Sequence, residues 1–365
     1  MKKIVICGGH LTPALALIEE LEKQDIELIF YGRKRSTEGS SNLSAEYKAI
    51  EKLGINFVAI TAGRLQRKFT KYTIPALLKI PVGFIQSFIG LTRVRPSLVV
   101  AFGSYLSLPV IFSAWLIGIK CITHEQSSIL GLANKINAYF ISKVYLSWQQ
   151  TAKDLKSNKY EIIGNLARNT IFNKTAKDSK IQNFLKTDKK LIFVMGGNQG
   201  SHFLNKLIFE SLPKLSRYSI IHQVGTTNYK GDLDHAKQIK KENYLAIDYL
   251  EGENFGAALN RADLVISRSG ANTVWDLAIL AKVAILIPLP ISAEGEQQAN
   301  AKILEKSGSA IILNQKDLDS GILIKKIEHV FNQLPKFQKN AQVFAKSLPK
   351  NASKIMANGI NKLLS

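Results

Sequence analysis

Lys3-Ile4-Val5-Ile6-Cys7-Gly8-Gly9-His10-Leu11-Thr12-Pro13 stands near the start of the chain, and Leu191-Ile192-Phe193-Val194-Met195-Gly196-Gly197-Asn198-Gln199-Gly200-Ser201 repeats its form near the middle. Each is a short apolar run, rich in β-branched residues, that stops at paired glycines. A helical stretch follows each: Pro13–Lys23 behind the first, Phe203–Leu215 behind the second. Strand, tight turn and helix in that order open a βαβ unit.

Further strands are expected around the first copy at Ile26–Tyr31, Ile55–Ile60, Leu98–Phe102, Lys120–Thr123, Val144–Ser147 and Tyr160–Ile163. Around the second they are expected at Ser219–Gln223, Tyr244–Ile247, Leu264–Ser267 and Ala284–Pro288. Helical stretches alternate with them. The pattern predicts an α/β protein made of two doubly wound, Rossmann-like domains. Residues 1–163 form the first and 164–340 the second, joined through the polar stretch Gly164–Ser179. Residues 341–365 are expected to form a helix packing back toward the first domain. Ligands of such sheets sit beyond the carboxyl ends of the strands, so the two Gly-Gly turns are expected to face a shared cleft.

Composition agrees with this. A chain of 365 residues has room for two domains. Its hydrophobic content of 46% excludes a disordered chain. The longest apolar run, Leu108–Ile119, falls short of the about 20 residues that cross a bilayer, and Ile4–Cys7 falls short of a secretory apolar region of ~7–15 residues. There are 49 Lys plus Arg against 28 Asp plus Glu, a net charge of +21 spread over both halves. That favours anionic partners. Nucleic acid is set aside, because the sequence lacks the aromatic stacking motifs expected of single-strand readers. Cys7 and Cys121 lie in apolar runs and suggest neither a disulfide framework nor a metal cluster.

Gly8-Gly9-His10 would bring backbone amides to a helix start, where the helix dipole favours anions. His10 is a candidate general base there, or a packed histidine. Gly196–Ser201 makes a second phosphate-type cradle, without the Gly-Lys-Ser/Thr ending of a triphosphate-hydrolysing loop. In Ser267-Arg268-Ser269-Gly270-Ala271-Asn272-Thr273-Val274-Trp275-Asp276 a strand ends, Ser269 and Gly270 turn, and a helix begins. Its first amides suit a diphosphate, and Asp276 suits two vicinal hydroxyls, as in a nucleotide sugar. His124-Glu125-Gln126-Ser127 places four polar residues beyond a strand, expected in the cleft rather than the core. Glu294–Asn300, with Gln297 and Gln298, offers donors to sugar hydroxyls. In Arg64–Gly90, Arg64, Arg67, Lys68, Lys71 and Lys79 interleave with apolar residues that include Phe84 and Phe88. This suits a surface resting on anionic lipid, or a helix pair packed into the domain.

Taken in order, these stretches resemble the MurG family of bacterial N-acetylglucosaminyltransferases. Gly8-Gly9-His10 with Pro13–Ala16 resembles its first Gly-rich loop, and Gly103-Ser104-Tyr105 with Ser107-Leu108-Pro109 its Gly-Gly-Tyr-Val-Ser-x-Pro segment. His124-Glu125-Gln126 with Gly131–Asn134 resembles its His-Glu-Gln-Asn signature, and Gly164-Asn165 with Arg168 its hinge. Gly196-Gly197, Gln199-Gly200 and Asn205 resemble its second Gly loop; Ser267–Asp276 and Pro288–Asn300 resemble its donor loops. The sequence departs from the family in a shortened first loop, in Ser127 for Asn, Leu166-Ala167 for Pro-Val, Asn198 for Ser and Asp276 for Glu.

The resemblance implies a GT-B fold and an inverting transfer of N-acetylglucosamine from UDP-N-acetylglucosamine to lipid I, the undecaprenyl-diphosphate-linked muramoyl-pentapeptide, at the cytoplasmic face of the membrane. No Asp-x-Asp pair stands at either Gly loop, so no bound metal is expected, and no cofactor. The donor would be lined by Cys7, Gly8, Gly9, Ser127, Asn134, Arg168, Asn198, Gln199, Gly200, Leu250, Ser269, Gly270, Ala271, Asn272, Thr273, Val274, Trp275, Asp276, Gln297 and Gln298. Leu250 would meet the uracil through its backbone, and Asp276 the ribose. His10 would be the base, with Glu125 as second base or as orienter of the acceptor. Tyr105 and His124 would lie on the acceptor side, with Arg64, Arg67, Lys68, Lys71, Phe84 and Phe88 toward an anionic membrane. Two alternatives remain: a GT-B transferase using another lipid acceptor, and a non-catalytic nucleotide-sugar-binding protein at the membrane.

Overall fold

The computed structural model describes residues 2–35, 43–61, 63, 73–155 and 158–364. They form two compact units, Met1–Arg168 with Pro349–Ser365, and Asn169–Leu348.

The first unit runs β1 (Lys2–Cys7), α1 (Leu11–Leu21), β2 (Ile26–Gly32), α2 (Ala45–Lys52), β3 (Asn56–Ala59), α3 (Thr73–Val94), β4 (Leu98–Ala101), α4 (Ser107–Leu116), β5 (Lys120–Glu125), α5 (Leu132–Asn137), β6 (Lys143–Leu146) and β7 (Tyr160–Ile162). Its seven strands pair in the order β3-β2-β1-β4-β5-β6-β7, all parallel. Ile4 to Cys7 and all of β4 are buried. That is why they read as unbroken apolar runs rather than alternating ones.

The second unit runs α6 (Ser179–Phe184), β8 (Leu191–Met195), α7 (His202–Ser211), β9 (Ser219–Gln223), α8 (Asp232–Gln238), β10 (Tyr244–Ile247), α9 (Gly252–Arg261), β11 (Leu264–Ser267), α10 (Ala271–Ile279), β12 (Ala284–Leu286), α11 (Glu296–Lys306), β13 (Ala310–Ile312), α12 (Ser320–Asn332) and α13 (Leu334–Ser347). Its sheet is β10-β9-β8-β11-β12-β13, again all parallel. The last helix, α14 (Ala352–Leu364), belongs to the first unit.

Three boundaries differ from expectation. The first unit ends at Arg168 rather than Ile163, because Leu166 is buried in its core and Gly164 is bonded to His124. The chain returns to that unit at Pro349, not at residue 341. Leu348-Pro349 breaks the helical tail, since proline disfavours helix at the residue before it. Ala352, Met356, Ala357 and Ile360 of α14 then join a core that includes Leu17, Ile18 and Leu21 of α1. Finally, β5 runs to Glu125, so His124 and Glu125 are strand residues paired with Tyr145 and Leu146.

A neutral histidine lies inside the second unit. His222 Nδ1 is 2.9 Å from Tyr244 Oη, and Nε2 is 3.1 Å from Asn205 Oδ1. Burial pulls its pKa down to about 3. Unfolding restores the ordinary imidazole value, about 6.5. The unfolded chain therefore holds an extra proton between those values. This stabilisation is complete above pH ~6.5 and is lost as pH falls toward 3. Melting curves should shift to lower temperature from pH 7 to pH 5, and less steeply in His222→Gln. Equal slopes for the two proteins would contradict this.

Candidate active site

In each sheet the strand order reverses next to the strand that carries the Gly-Gly turn. The reversal falls between β1 and β4 in the first unit and between β8 and β11 in the second. Loops leaving such neighbouring strands wind to opposite faces and open a crevice at their carboxyl ends.

In the first unit the loop after β1 presses on the loop after β4. A Cβ on Gly9 would lie 2.5 Å from Gly103 O and 2.8 Å from Phe102 O. Only glycine permits that approach. Ser104 takes a left-handed conformation, with φ 68°. A non-glycine residue held there typically costs about 1–2 kcal/mol. His10 is the exposed N-cap of α1, in extended conformation, and its ring caps no amide. Its Cδ2 and Asn134 Nδ2 flank Gly103, 3.7 Å and 3.3 Å from the point where that residue would carry a Cβ. His10 also lies within electrostatic reach of His124 and Glu125.

The polar group at the end of β5 is not in an open loop: His124, Glu125, Gln126 and Ser127 are all buried. Glu125 Oε1 accepts from Ser127 N at 3.0 Å, and Oε2 accepts from Gly131 N at 3.0 Å and Asn134 Nδ2 at 2.9 Å. Burial raises its pKa and these three donors oppose the rise. Asn134 Oδ1 accepts from Thr123 Oγ1 at 3.0 Å, and the Ser127 carbonyl accepts from Thr151 Oγ1 at 2.9 Å. The Asn134 side chain and the Ser127 main chain thus hold the loop in place. His124 Nε2 donates to Gly164 O at 3.0 Å, and burial lowers its pKa to about 4. Cys7 is fully buried, so its thiol is not presented to a ligand.

Tyr105 is half-buried and accepts a 2.9 Å bond from Arg33 Nη1. The Arg33 guanidinium also lies 5.6 Å from the Tyr105 ring centroid, and its main-chain N donates to Glu46 Oε2 at 3.3 Å. Neither Arg33 nor Glu46 was expected here. The available signal was position: Arg33 directly follows β2, at the same sheet edge as the two loops.

Arg64, Arg67, Lys68 and Lys71 lie outside the described residues. Phe84 is half-buried, edge-on to Phe112 at 5.5 Å, so it packs as much as it projects. Phe88 is exposed, with Ile85, Ile89, Trp115 and Tyr139. Among the described residues no helix is long and apolar enough to cross a membrane.

In the second unit, Gly270 is the N-cap of α10 and has no side chain with which to cap it, and amides at a helix start are suited to an anion. Ser269 Oγ donates to Gln297 O at 2.8 Å, and Gln297 Oε1 accepts from Leu289 N at 2.9 Å. Ser269 and Gln297 therefore knit the loops after β11 and β12 together. Val274 and Trp275 are fully buried, so their side chains belong to the core rather than to a ligand. Asp276 is mostly buried on the second turn of α10, and Asn198 and Gln199 are exposed beyond β8. Gln298 is half-buried on α11, and Arg168 half-buried where the first unit ends. Leu250 N donates to Gln223 Oε1 at 3.1 Å, so that amide already has a partner. Arg268 reaches Ser201 Oγ at 2.8 Å and Ile287 O at 3.0 Å, joining three strand ends. Nothing in its local sequence assigns it that role.

Two family descriptions match the chain in order: the glycosyltransferase family 28 N-terminal domain over residues 7–146 and its C-terminal domain over residues 191–355. The fold and its loops are those of a GT-B glycosyltransferase. A UDP-N-acetylglucosamine–N-acetylmuramyl-(pentapeptide) pyrophosphoryl-undecaprenol N-acetylglucosamine transferase from Clostridium novyi is 34% identical over 345 residues, 93% of each chain. A transferase of the same name from Clostridium botulinum is 32% identical over 370 residues, covering 100% of this chain and 98% of its own. The chain belongs to this family of transferases. Among solved structures, MurG of Acinetobacter baumannii superposes with TM-score 0.73 at 23% identity, over 99% of this chain and 100% of its own. The Staphylococcus aureus MnaA–UDP co-structure superposes with TM-score 0.70 at 13% identity, over 100% and 97%. Both are similar in fold.

Proposed function

We propose that this protein transfers N-acetylglucosamine from UDP-N-acetylglucosamine to the muramoyl hydroxyl of an undecaprenyl-diphosphate-linked muramoyl-pentapeptide. The observation that carries this reading is identity of 32–34% to transferases of that name over nearly the whole chain. The second unit supplies the donor machinery. The start of α10 and the Gly196–Ser201 loop face the diphosphate, and Asp276 takes the ribose. The first unit supplies the acceptor machinery around His10 and Tyr105. His10 accepts the hydroxyl proton as the oxygen forms a bond to the anomeric carbon from the face opposite UDP. The bond from that carbon to the β-phosphate oxygen breaks, and its electron pair leaves with UDP. Backbone amides aimed at the growing phosphate charge stabilise the transition state.

The purified protein, incubated with labelled UDP-N-acetylglucosamine and lipid I, should release UDP and label the lipid. Label on diacylglycerol but not on lipid I would assign the other lipid acceptor. No product with either would overturn the reading.

The acceptor is a membrane lipid, and one face of the first unit suits a bilayer. Phe112, Trp115 and Phe140 are in mutual ring contact, with centroids 5.1–5.7 Å apart, and Phe84 joins them through Phe112 at 5.5 Å. Ile85, Phe88, Trp115 and Tyr139 are exposed on α3, α4 and the segment after α5. Apolar side chains entering the lipid interface, helped by net positive charge, would hold the protein there. The triple change Ile85→Ser, Phe88→Ser and Trp115→Ser should weaken sedimentation with anionic vesicles about tenfold or more. Unchanged sedimentation would place the membrane contact elsewhere.

A further inference from the structure

The turn after β9 is wedged between the two donor-side loops of the second unit. On one side it meets Gly196–Ser201. Thr226 N and Thr226 Oγ1 donate to Asn198 O at 2.9 Å and 3.1 Å. A Cβ on Gly225 would lie 2.3 Å from Gly200 N and Cα, so the two backbones touch. On the other side it meets the turn after β10: Val224 N and Gly225 N donate to Ile247 O and Asp248 O at 2.8 Å and 2.9 Å. Gln223, the last residue of β9, is the one residue here whose side chain spans both sides among the described hydrogen bonds. Its Nε2 donates to Gly197 O at 3.4 Å, while its Oε1 accepts from Leu250 N at 3.1 Å. Gln223 is 2% exposed and its bond to Leu250 is buried, so water does not readily replace that partner, while the bond to the exposed Gly197 is only partly shielded. Asn205 braces the turn from behind, with Nδ2 donating to Val224 O at 3.1 Å and to Asp232 Oδ2 at 2.8 Å.

We propose that Gln223 is a positioning residue for the nucleotide-sugar donor: its amide ties the Gly196–Ser201 loop to the Leu250 turn and fixes the spacing between the parts of the site that hold the diphosphate and the base. This rests on the donor reading above and on the uracil contact that the family resemblance implies for the Leu250 backbone. Gln223 touches no reacting atom. Its effect is to hold two ligand-contacting stretches at the separation one nucleotide requires, so that binding does not have to order them. The tie therefore acts on donor affinity and leaves the chemical step and the acceptor unaffected.

Gln223→Met keeps the length of the side chain and removes both hydrogen bonds. The donor KM and the UDP dissociation constant should rise about tenfold or more, while kcat at saturating donor and the acceptor KM stay within about twofold. Thr226→Val removes only the hydroxyl bond to Asn198 O at an exposed position. It should raise the donor KM about two- to threefold. A folded Gln223→Met protein with unchanged donor KM, or with kcat and both KM values altered alike, overturns the proposal. If Gln223→Met does not fold, an unchanged donor KM in Thr226→Val overturns it. UDP titration into the unmodified protein separates the two levels: no heat there overturns the donor reading itself, whereas normal binding there with normal binding in Gln223→Met overturns only the tie.

Discussion

Replacement of His10 by Ala should lower kcat by a factor on the order of 10²–10⁴, with UDP affinity unchanged within about twofold. The reasons are local. His10 follows a Gly-Gly turn locked against the β4 loop, and its ring serves no capping bond at the start of α1. Asp, Asn, Ser or Thr would cap that helix better, by about 1 kcal/mol over an unsuited residue. A residue placed at a cap without capping is available for chemistry. His124, by contrast, is held neutral by burial, with its Nε2 proton given to Gly164 O. Steady-state rates and UDP calorimetry on the Ala variant decide the matter. Unchanged turnover removes His10 from the mechanism. Lost UDP binding with proportionate loss of rate makes it a donor ligand instead.

The second large effect is expected at Glu125. Its Ala variant leaves Ser127 N, Gly131 N and Asn134 Nδ2 without their acceptor inside the first unit. Ser127 N and Asn134 Nδ2 are buried, whereas Gly131 is exposed and can turn to water. Each buried unsatisfied donor costs about 1–3 kcal/mol, so the two together cost on the order of 2–6 kcal/mol. The Gln variant is nearly as harmful, because an amide NH₂ group must meet one of three N–H donors. Both variants should lose activity and thermal stability together. A general base would behave otherwise: Glu125→Gln would abolish turnover with the melting curve unmoved. That outcome would exchange the roles of Glu125 and His10.

Much of the fold was legible because its strands are buried on both faces. Ile4–Cys7, Leu98–Ala101 and Leu191–Met195 are continuous apolar runs closed by glycine or a polar turn, and little else gives that pattern. α2 and β13 were not anticipated. α2 has eight residues and carries a weak apolar stripe, with Ser44 as its capping signal. β13 has three residues, too few to show a period. At the site, the glycine turns and the Ser267–Asp276 stretch were readable because backbone geometry there is written into residue type. The buried polar ties were not. Glu125 read as a possible base because sequence gives a carboxylate but not its three donors. Arg33, Gln223 and Arg268 went unassigned because their partners lie 72, 26 and 67 residues away along the chain.

The return of α14 to the first unit has a consequence for synthesis. The second unit is one unbroken segment, Asn169–Leu348, and is whole once that segment has emerged. The first unit lacks Met356, Ala357 and Ile360 from its interior until the stretch after Leu348 is translated. The half made first on the ribosome is therefore finished last, with apolar surface uncovered while its neighbour matures. Removal of the residues after Leu348 would expose that interior permanently.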